Sequence, residues 1–441
     1  MAAPPGPRGY PVVGVLPRIW RDPLAFFQEV AQECGGLARV GLGRFTLYLL
    51  SDPALIHKVL VEDSRHYWKG DGLAAASAVM GRGLATNEGE AWQAMRRLLQ
   101  PAFQPRALEG LLQDLGATIE EQLEAWRPGP AVDVAEAANH LVLRALFRAL
   151  FGAGLPPEQL ARLGEAVLVA NEHINHTAWS LIKLPSGVPT PRNLRFSRAL
   201  RTLNEATYRL IRERRTLEDP GDDLLGRLVG TRDASGAALS DTQIRDELMT
   251  LIVAGHETTA NALAWILHLL AAHPAIAEQV QAEAPAAQGA TGPPDALGRV
   301  LLEALRVLPP AWVIVRTPYS ERELGGYVLP KGAPLLISQY VVHRDPRWWE
   351  EPARFDPDRW LPGRAAPPRG AYFPYGDGPR ICIGNHFATA LLRFAVAGCL
   401  RRFELRPSAE GKVVPQPLTT LRPKGGLRLK LTRRASGSAQ T

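Results

Sequence analysis

One short glycine-rich stretch decides the fold of this chain: Tyr375-Gly376-Asp377-Gly378-Pro379-Arg380-Ile381-Cys382-Ile383-Gly384. Its glycines allow close backbone approaches, and its proline fixes one φ angle and removes one N–H, which predicts a rigid loop. The apolar run from His386 to Val396 predicts a helix directly after it. The sulfur of Cys382 would then lie just before a helix N-terminus, where negative charge is favoured. Because the thiolate is the metal-binding form of cysteine, this loop predicts an anionic sulfur ligand.

Two other interpretations fit parts of this loop. Most free cysteines are small buried hydrophobic residues, and Cys382 taken alone fits that description. A glycine-rich loop before a helix can also cradle a phosphate, but phosphate loops carry a Lys-Ser/Thr pair, and this loop has none. The spacing of glycine, arginine and cysteine therefore favours the metal ligand.

The same loop resembles the haem-ligand loop of the cytochrome P450 family, whose pattern is aromatic-Gly-x-Gly-x-Arg-x-Cys-x-Gly. Tyr375 stands where the family usually has phenylalanine, and its hydroxyl needs a partner if it is buried. The resemblance implies haem b as cofactor, with Cys382 as the iron ligand and Tyr375 and Gly376 among the haem-binding residues.

A long central helix is predicted between a capping box at Ser240-Asp241-Thr242-Gln243 and the stop at Pro274. Its middle, Ala254-Gly255-His256-Glu257-Thr258-Thr259, is unusual for a buried helix. Glycine there costs about 1 kcal/mol relative to alanine. The Thr258 hydroxyl can bond back to the carbonyl of Ala254 and open the helix locally.

A solvent-facing polar patch would also explain this segment, whereas the zinc-protease pattern His-Glu-x-x-His fails because residue 260 is alanine. The segment resembles the family's oxygen-binding pattern, Ala/Gly-Gly-x-Asp/Glu-Thr-Thr/Ser. The resemblance implies that Thr258 and Glu257 are catalytic and deliver protons, and that Ala254 and Gly255 lie against the haem. Cleavage of the O–O bond needs those protons while the thiolate supplies electron density.

Further residues match the family's haem-propionate and structural motifs. Buried haem carboxylates need cationic or hydrogen-bonding partners, and the resemblance assigns that role to Trp92, Arg96, Arg316 and Arg380. Trp92 and Arg96 are four residues apart and share a helix face. Elsewhere, Glu303 and Arg306, three residues apart, match the Glu-x-x-Arg motif. Arg359 stands at the third position of that structural network, in which removal of one buried partner costs about 3–5 kcal/mol.

Composition bounds the remaining possibilities. The chain has 441 residues, three cysteines without paired spacing and a formal charge of +7. We expect one domain over residues 1–441, mainly α with a smaller β-rich part, and no disulfide scaffold. Residues 1–16 are rich in Pro and Gly and lack an apolar run long enough for an anchor, so we expect a cytoplasmic protein without a transmembrane segment. We expect the polar tail, residues 435–441, to be disordered.

Local patterns predict the smaller elements. Two apolar runs around a glycine turn between Leu37 and Asp52 predict a β-hairpin. Residues 64–90 show no periodicity and are expected to form a long loop. Residues 313–342 predict further hairpins, and residues 413–431 a second β segment.

The resemblance implies a monooxygenase that inserts one oxygen atom from O2 into a C–H bond of a hydrophobic substrate. No flavin module or ferredoxin-type cysteine run is present, so we expect electrons from an acidic ferredoxin or flavodoxin with its reductase, docking near Arg96, Arg97 and Arg393. The arginines are spread along the chain, which argues against nucleic-acid binding. A peroxide-driven peroxygenase and a non-catalytic haem sensor are the alternatives.

Substrate identity rests on a weaker similarity. Pro310-Ala311-Trp312-Val313-Ile314 and the ending Thr420-Leu421-Arg422-Pro423 are similar to bacterial carotenoid hydroxylases of this family. A carotenoid is therefore the leading expectation, followed by fatty acids and other terpenoids. The residues expected to line the substrate site are Met80, Trp179, Leu251, Ala254, Ala311, Trp312 and Thr420.

Overall fold

Helices form most of the secondary structure. The computed structural model describes residues 3–152, 155–179, 187–233, 236–283, 294–410 and 412–434. Its α-helices are α1 (Leu16–Arg21), α2 (Pro23–Cys34), α3 (Pro53–His57), α4 (Ala74–Met80), α5 (Gly89–Leu99), α6 (Pro105–Glu124), α7 (Val134–Phe151), α8 (Pro157–Trp179), α9 (Pro191–Arg215), α10 (Leu224–Gly230), α11 (Asp241–Ala272), α12 (Pro274–Ala282), α13 (Ala296–Val307), α14 (Gln339–Val342) and α15 (Asn385–Arg402). Its strands are β1 (Leu37–Leu42), β2 (Phe45–Leu50), β3 (Tyr67–Trp68), β4 (Gly129–Asp133), β5 (Ile314–Pro318), β6 (Arg322–Leu324), β7 (Tyr327–Leu329), β8 (Leu335–Ile337), β9 (Phe403–Pro407), β10 (Pro415–Pro417), β11 (Leu421–Pro423) and β12 (Arg428–Arg433).

The chain divides into two compact units, and neither is a continuous segment. The first unit is Met1–Ala74 with Leu302–Ile383, and the second is Ala75–Leu301 with Gly384–Thr441. The expectation of one domain over residues 1–441 stays a prediction.

The first unit is built on a five-stranded sheet in the order β1-β2-β8-β5-β3. The predicted hairpin is present as β1 and β2, which pair antiparallel from Leu37↔Leu50 to Leu42↔Phe45 around a turn with Gly43 at φ 64°. Strand β8 then adds to β2 in parallel and to β5 antiparallel. Buried apolar side chains form one cluster that includes residues of this sheet, among them Leu50, Ile56 and Ile337.

The second unit is built around α11, which packs against α7, α8, α9 and α15. The predicted capping box is present, since the Ser240 side chain and the Gln243 side chain each bond to the other residue's backbone N–H. The helix ends at Ala272, just before the predicted stop at Pro274. A three-stranded sheet, β4-β12-β9, and the β10-β11 pair complete the unit and include the expected C-terminal β segment.

The structure departs from the expected loop over residues 64–90. Helix α4 lies within it, built from Ala74-Ala75-Ala76-Ser77-Ala78-Val79-Met80. Alanine has the highest intrinsic helix propensity, so a short helix forms here without an amphipathic repeat. The tail, residues 435–441, and part of the connection between α8 and α9, residues 180–186, lie outside the described residues.

Across the described residues, no single helix has both the length and the apolar composition to cross a bilayer. Helices α11 and α12 together have the required length and apolar composition, but the pair is bent by 107°. Most of α11 is also buried inside the protein.

Candidate active site

The cysteine loop of the first unit is held by its own backbone. The N–H of Cys382 donates to the carbonyl of Tyr375 at 2.9 Å, and the N–H of Gly376 donates to Phe373 at 2.9 Å. Gly378 has φ 68°, and a Cβ there would lie 2.0 Å from the carbonyl oxygen of Leu60. Only glycine fits this position, so the loop is fixed and its sequence pattern has a steric reason.

Cys382 differs from the other two cysteines in its exposure. Its side chain is exposed, whereas Cys399 is fully buried and Cys34 is partly buried. Burial raises the pKa of the Cys399 thiol to about 12, and burial followed by the charge of Glu33 raises the pKa of Cys34. Both therefore remain thiols at neutral pH, and Cys382 is the cysteine that is accessible to a metal ion.

Helix α11 in the second unit exposes one face midway along its buried length. Ala254 is exposed, and Thr258, one turn later on the same face, is partly exposed. His256, which lies between them in the sequence, and Thr259, which follows Thr258, are buried. The Thr258 hydroxyl donates to the carbonyl of Ala254 at 2.6 Å, as predicted. The backbone nevertheless stays α-helical throughout, so the expected local opening of the helix is absent.

Glu257 is held by neighbours that the sequence did not reveal. The Thr420 hydroxyl donates to Glu257 Oε1 at 2.7 Å, and Asn175 Nδ2 lies 3.4 Å from both carboxylate oxygens. Asn261 Nδ2 donates to the Thr420 hydroxyl at 3.0 Å, and the N–H of Thr419 donates to Asn175 Oδ1 at 2.9 Å. Two uncharged donors on two different elements thus orient the carboxylate.

His256 occupies the centre of the same segment but has a structural environment. Its ring contacts the Asn139 carbonyl at 3.2 Å and the Asn171 side chain at 3.5 Å. Burial lowers the pKa of His256 to about 4, against a smaller opposing effect of the Asn139 carbonyl. The imidazole is therefore neutral at physiological pH and takes no part in proton supply as an acid.

The four residues expected to bind haem propionates divide between the units. Trp92 and Arg96 lie one turn apart on α5 in the second unit, and the Trp92 side chain is 9% exposed. Arg316 lies in β5 and Arg380 in the short 3-10 turn Gly378–Arg380, both in the first unit. Their role toward a propionate stays a prediction.

The Glu303 network is assembled inside the first unit. Arg306 and Glu303 are fully buried and form two hydrogen bonds of 2.8 Å, and Arg359 Nε lies 3.5 Å from Glu303 Oε1. Sequence reasoning missed the Trp360 indole, which donates to Glu303 Oε2 at 3.0 Å, although Trp360 directly follows Arg359. Arg306 also donates to three backbone carbonyls, those of His343, Pro352 and Arg354.

The residues expected to line the substrate site have different surroundings. Leu251 and Ala311 are partly exposed. Met80, Trp312 and Thr420 are only 4%, 1% and 5% exposed, so the structure places them in packed interior positions. The Thr420 hydroxyl contacts Glu257 and Asn261, and the role of these residues toward a substrate stays a prediction. The side chain of Trp179 lies outside the part of the chain that the structure describes.

One correction concerns the expected docking surface. Arg393 donates to both carboxylate oxygens of Asp295, at 2.9 and 2.6 Å, and its side chain is 16% exposed. Arg393 is therefore held in an ion pair with Asp295 and is not a cation available to another protein. Arg97 is exposed on α5, and Arg96 is partly exposed.

Within each unit taken by itself, the residues present are compatible with haem binding. The first unit presents an exposed cysteine on a fixed loop, which is the soft, anionic donor that haem iron accepts. The second unit presents Ala254 as an exposed position on an otherwise buried helix, and its short side chain would allow a flat ring to approach the helix closely.

The family model for cytochrome P450 matches residues 4–431. The chain is 34% identical to cyclooctatin synthase of Streptomyces melanosporofaciens, over 94% of this chain and 92% of that protein. It is 33% identical to pentalenene oxygenase of Streptomyces avermitilis, over 98% and 97%, and 32% identical to cyclooctat-9-en-7-ol 5-monooxygenase of Streptomyces melanosporofaciens, over 91% and 89%. The crystal structure of the haem domain of cytochrome P450DA superimposes with a TM-score of 0.86 at 27% identity, over 99% of this chain and 98% of that one. This haem-binding monooxygenase therefore belongs to the cytochrome P450 family.

Proposed function

We propose that this monooxygenase hydroxylates a hydrophobic terpenoid, the chemical class to which carotenoids also belong. Three relatives support the choice of class, since their names refer to cyclooctatin, cyclooctat-9-en-7-ol and pentalenene. The observation that carries the oxygen-insertion reaction is the pair Glu257 and Thr258, an acid and an alcohol that are partly exposed on an otherwise buried helix, α11. Carotenoid ring hydroxylation is the finer form of this proposal, and fatty acids are the alternative.

The haem, when bound, would supply the activation of O2, and Cys382 would ligate its iron while Trp92, Arg96, Arg316 and Arg380 would hold its propionates. The protein's own contribution is proton supply and exclusion of water. Glu257, held by Thr420 and Asn175, is placed to accept and release protons. The Thr258 hydroxyl donates its hydrogen to the Ala254 carbonyl and keeps its lone pairs available to accept a hydrogen bond.

Electrons are proposed to come from a cytoplasmic acidic ferredoxin or flavodoxin with its reductase. The exposed Arg97 and the partly exposed Arg96 on α5 support this, because cations on a surface helix attract an acidic partner. Arg393 drops out of this surface because Asp295 neutralises it.

The haem ligand and the proton relay are tested spectroscopically and by product analysis. The reduced protein with carbon monoxide is expected to show the red-shifted absorption of thiolate ligation, and Cys382→Ala is expected to lose it. Thr258→Ala is expected to keep haem and the carbon monoxide spectrum but to divert reducing equivalents into peroxide. An unchanged spectrum in Cys382→Ala, or full coupling in Thr258→Ala, would contradict the assigned roles.

The substrate class is tested by titration and turnover. A panel of terpenoids, carotenoids and fatty acids is added to the ferric protein, and the haem absorption shift that follows substrate binding is recorded. Compounds that give a shift are then turned over under labelled O2 with a surrogate ferredoxin system. We expect terpenoid products that carry one labelled oxygen atom. Binding confined to fatty acids would refute the terpenoid assignment and leave the monooxygenase activity intact.

A further inference from the structure

The first unit carries a protruding turn with exposed apolar side chains. Tyr10 N–H donates to the Gly14 carbonyl at 2.8 Å, and Gly14 N–H donates back to Tyr10 at 3.0 Å, which closes a tight turn. At its apex Val12 is 91% exposed, and Tyr10 is 58% exposed. A single exposed hydrophobic residue is ordinary, whereas several that form one contiguous patch mark an interaction surface.

A second exposed aromatic lies at the adjacent tip of the β1-β2 hairpin. Phe45 is 63% exposed, and the guanidinium of Arg44 lies 5.1 Å from the centre of its ring. The two tips touch, because a Cβ at Gly43 would lie 2.7 Å from the carbonyl oxygen of Val12. Tyr10, Val12, Val13, Arg44 and Phe45 therefore form one continuous surface, which we call the tip patch.

The turn maintains Val12 in an unfavourable backbone conformation. Its φ is 68°, the left-handed region that glycine adopts readily and β-branched residues rarely do. Glycine would serve the turn better, so the valine side chain is not explained by folding of the turn. Strain of this kind points to a role for the side chain outside the fold.

Positive charge predominates around the tip patch, although one arginine is paired, since Arg18 Nη2 lies 2.6 Å from Glu29 Oε1. Residues 3–21 and 36–51, which supply the patch and the chain leading to it, contain five arginines and neither Asp nor Glu: Arg8, Arg18, Arg21, Arg39 and Arg44. Apolar tips flanked by an excess of arginine match an anionic lipid interface, where the apolar groups enter the acyl boundary and the guanidinium groups remain among the phosphates. A second copy of the same surface would instead oppose arginine with arginine.

We infer that the tip patch binds peripherally to bilayers that contain anionic phospholipid. Val12, Val13 and Phe45 insert at the level of the headgroups, and Arg8 and Arg44 contact the phosphates. The inference does not depend on which substrate the enzyme takes, although a hydrophobic substrate dissolves in the same bilayer.

Sedimentation with lipid vesicles tests the inference on the full-length holoprotein. At low salt we expect binding to vesicles of phosphatidylcholine and phosphatidylglycerol in equal parts, and much weaker binding to phosphatidylcholine alone. The double variant Val12→Asp/Phe45→Asp is expected to lose about tenfold or more in partition. Leu217→Asp is the matched control, because Leu217 is also exposed, at 56%, but lies in the second unit.

Val12→Gly keeps the test independent of folding. It relieves the strained φ, so the thermal midpoint should stay the same or rise while vesicle binding falls. Arg8→Gln/Arg44→Gln should lower binding to anionic vesicles and reduce its salt dependence. Equal partition of the parent and all variants, or absence of parent binding at low salt, would overturn the inference. Self-association of the parent that disappears in Val12→Gly would also overturn it, by showing that the patch is an interface between copies.

Discussion

The carboxylate of Glu257 takes its orientation from single side chains on two distant segments, α8 and the turn before β11. Thr420 supplies the shorter hydrogen bond, 2.7 Å, and Asn175 the longer contact, 3.4 Å. Loss of a buried donor costs on the order of 1–3 kcal/mol because the acceptor is left unsatisfied. The orientation of the Glu257 carboxylate therefore depends on Thr420 as well as on the helix that carries it.

Thr420→Val removes this donor while it keeps the side-chain volume. We expect the fraction of reducing equivalents recovered in product to fall about tenfold, because Glu257 is no longer held in one orientation. Substrate affinity, measured by spectral titration, should change little, and the solvent isotope effect on product formation should rise. Thr420→Ser restores the donor and should restore coupling. If serine fails to rescue, Thr420 acts through packing and the positioning role is wrong.

Gly255 raises a different question, since no contact among the described residues requires a glycine at this position. A Cβ at Gly255 would meet the Leu146 methyl groups at 3.5 Å, an ordinary contact. Gly255→Ala should therefore stabilise the haem-free protein by about 1 kcal/mol, measured by urea unfolding. If Gly255 lies against the haem as expected, the same variant should lose haem, measured as the ratio of haem to protein absorbance.

The matched control is Gly110→Ala on α6, where a Cβ meets no heavy atom within 4 Å. It should stabilise the protein without loss of haem. Full haem occupancy in Gly255→Ala would remove Gly255 from the cofactor-binding residues.

Helix α11 shows which features of an element the local sequence can predict. Its start and end were predictable because the capping box and Pro274 act within one turn of the helix. Helix α4 was missed because alanine gives helix propensity without an apolar period. The Trp360 and backbone partners of the Glu303 network could not be read from the sequence, since they come from segments brought together only by folding.

The buried histidine of α11 makes that element sensitive to acid. In the folded protein the pKa of His256 is lowered from 6.5 to about 4, first by burial. The unfolded chain therefore binds the proton more readily between these pH values, and stability falls as the pH drops from 6.5 toward 4. The full effect is on the order of 3 kcal/mol for this difference in pKa.

His256→Gln should reduce the loss of stability on acidification, measured as the change in the urea midpoint between about pH 7 and about pH 4. His343, whose pKa burial lowers to about 3, remains and preserves part of the slope. A variant with the same slope as the parent would show that His256 does not contribute to acid sensitivity.

For the whole molecule, motif order identified the family, but no local pattern could tell which surface arginines are free. Arg393 resembled a docking residue in the sequence, and folding pairs it with Asp295. Arg97 lies exposed on α5. The distinction depends on residues 98 positions apart in the chain, beyond the range of any sequence period.

Electron delivery is therefore expected to depend on Arg97. In Arg97→Glu, the second-order rate constant for reduction by an acidic ferredoxin or flavodoxin should fall about tenfold at low ionic strength, because long-range attraction is replaced by repulsion. The difference should shrink as salt shortens the screening length to about 3 Å near 1 M. Arg201→Glu, on α9, reverses the charge of another exposed arginine and should leave the rate unchanged. Stopped-flow reduction under carbon monoxide gives the rate constant for the parent and for both variants. Equal rate constants for the parent and Arg97→Glu at low salt would show that the partner binds a surface other than the one around α5.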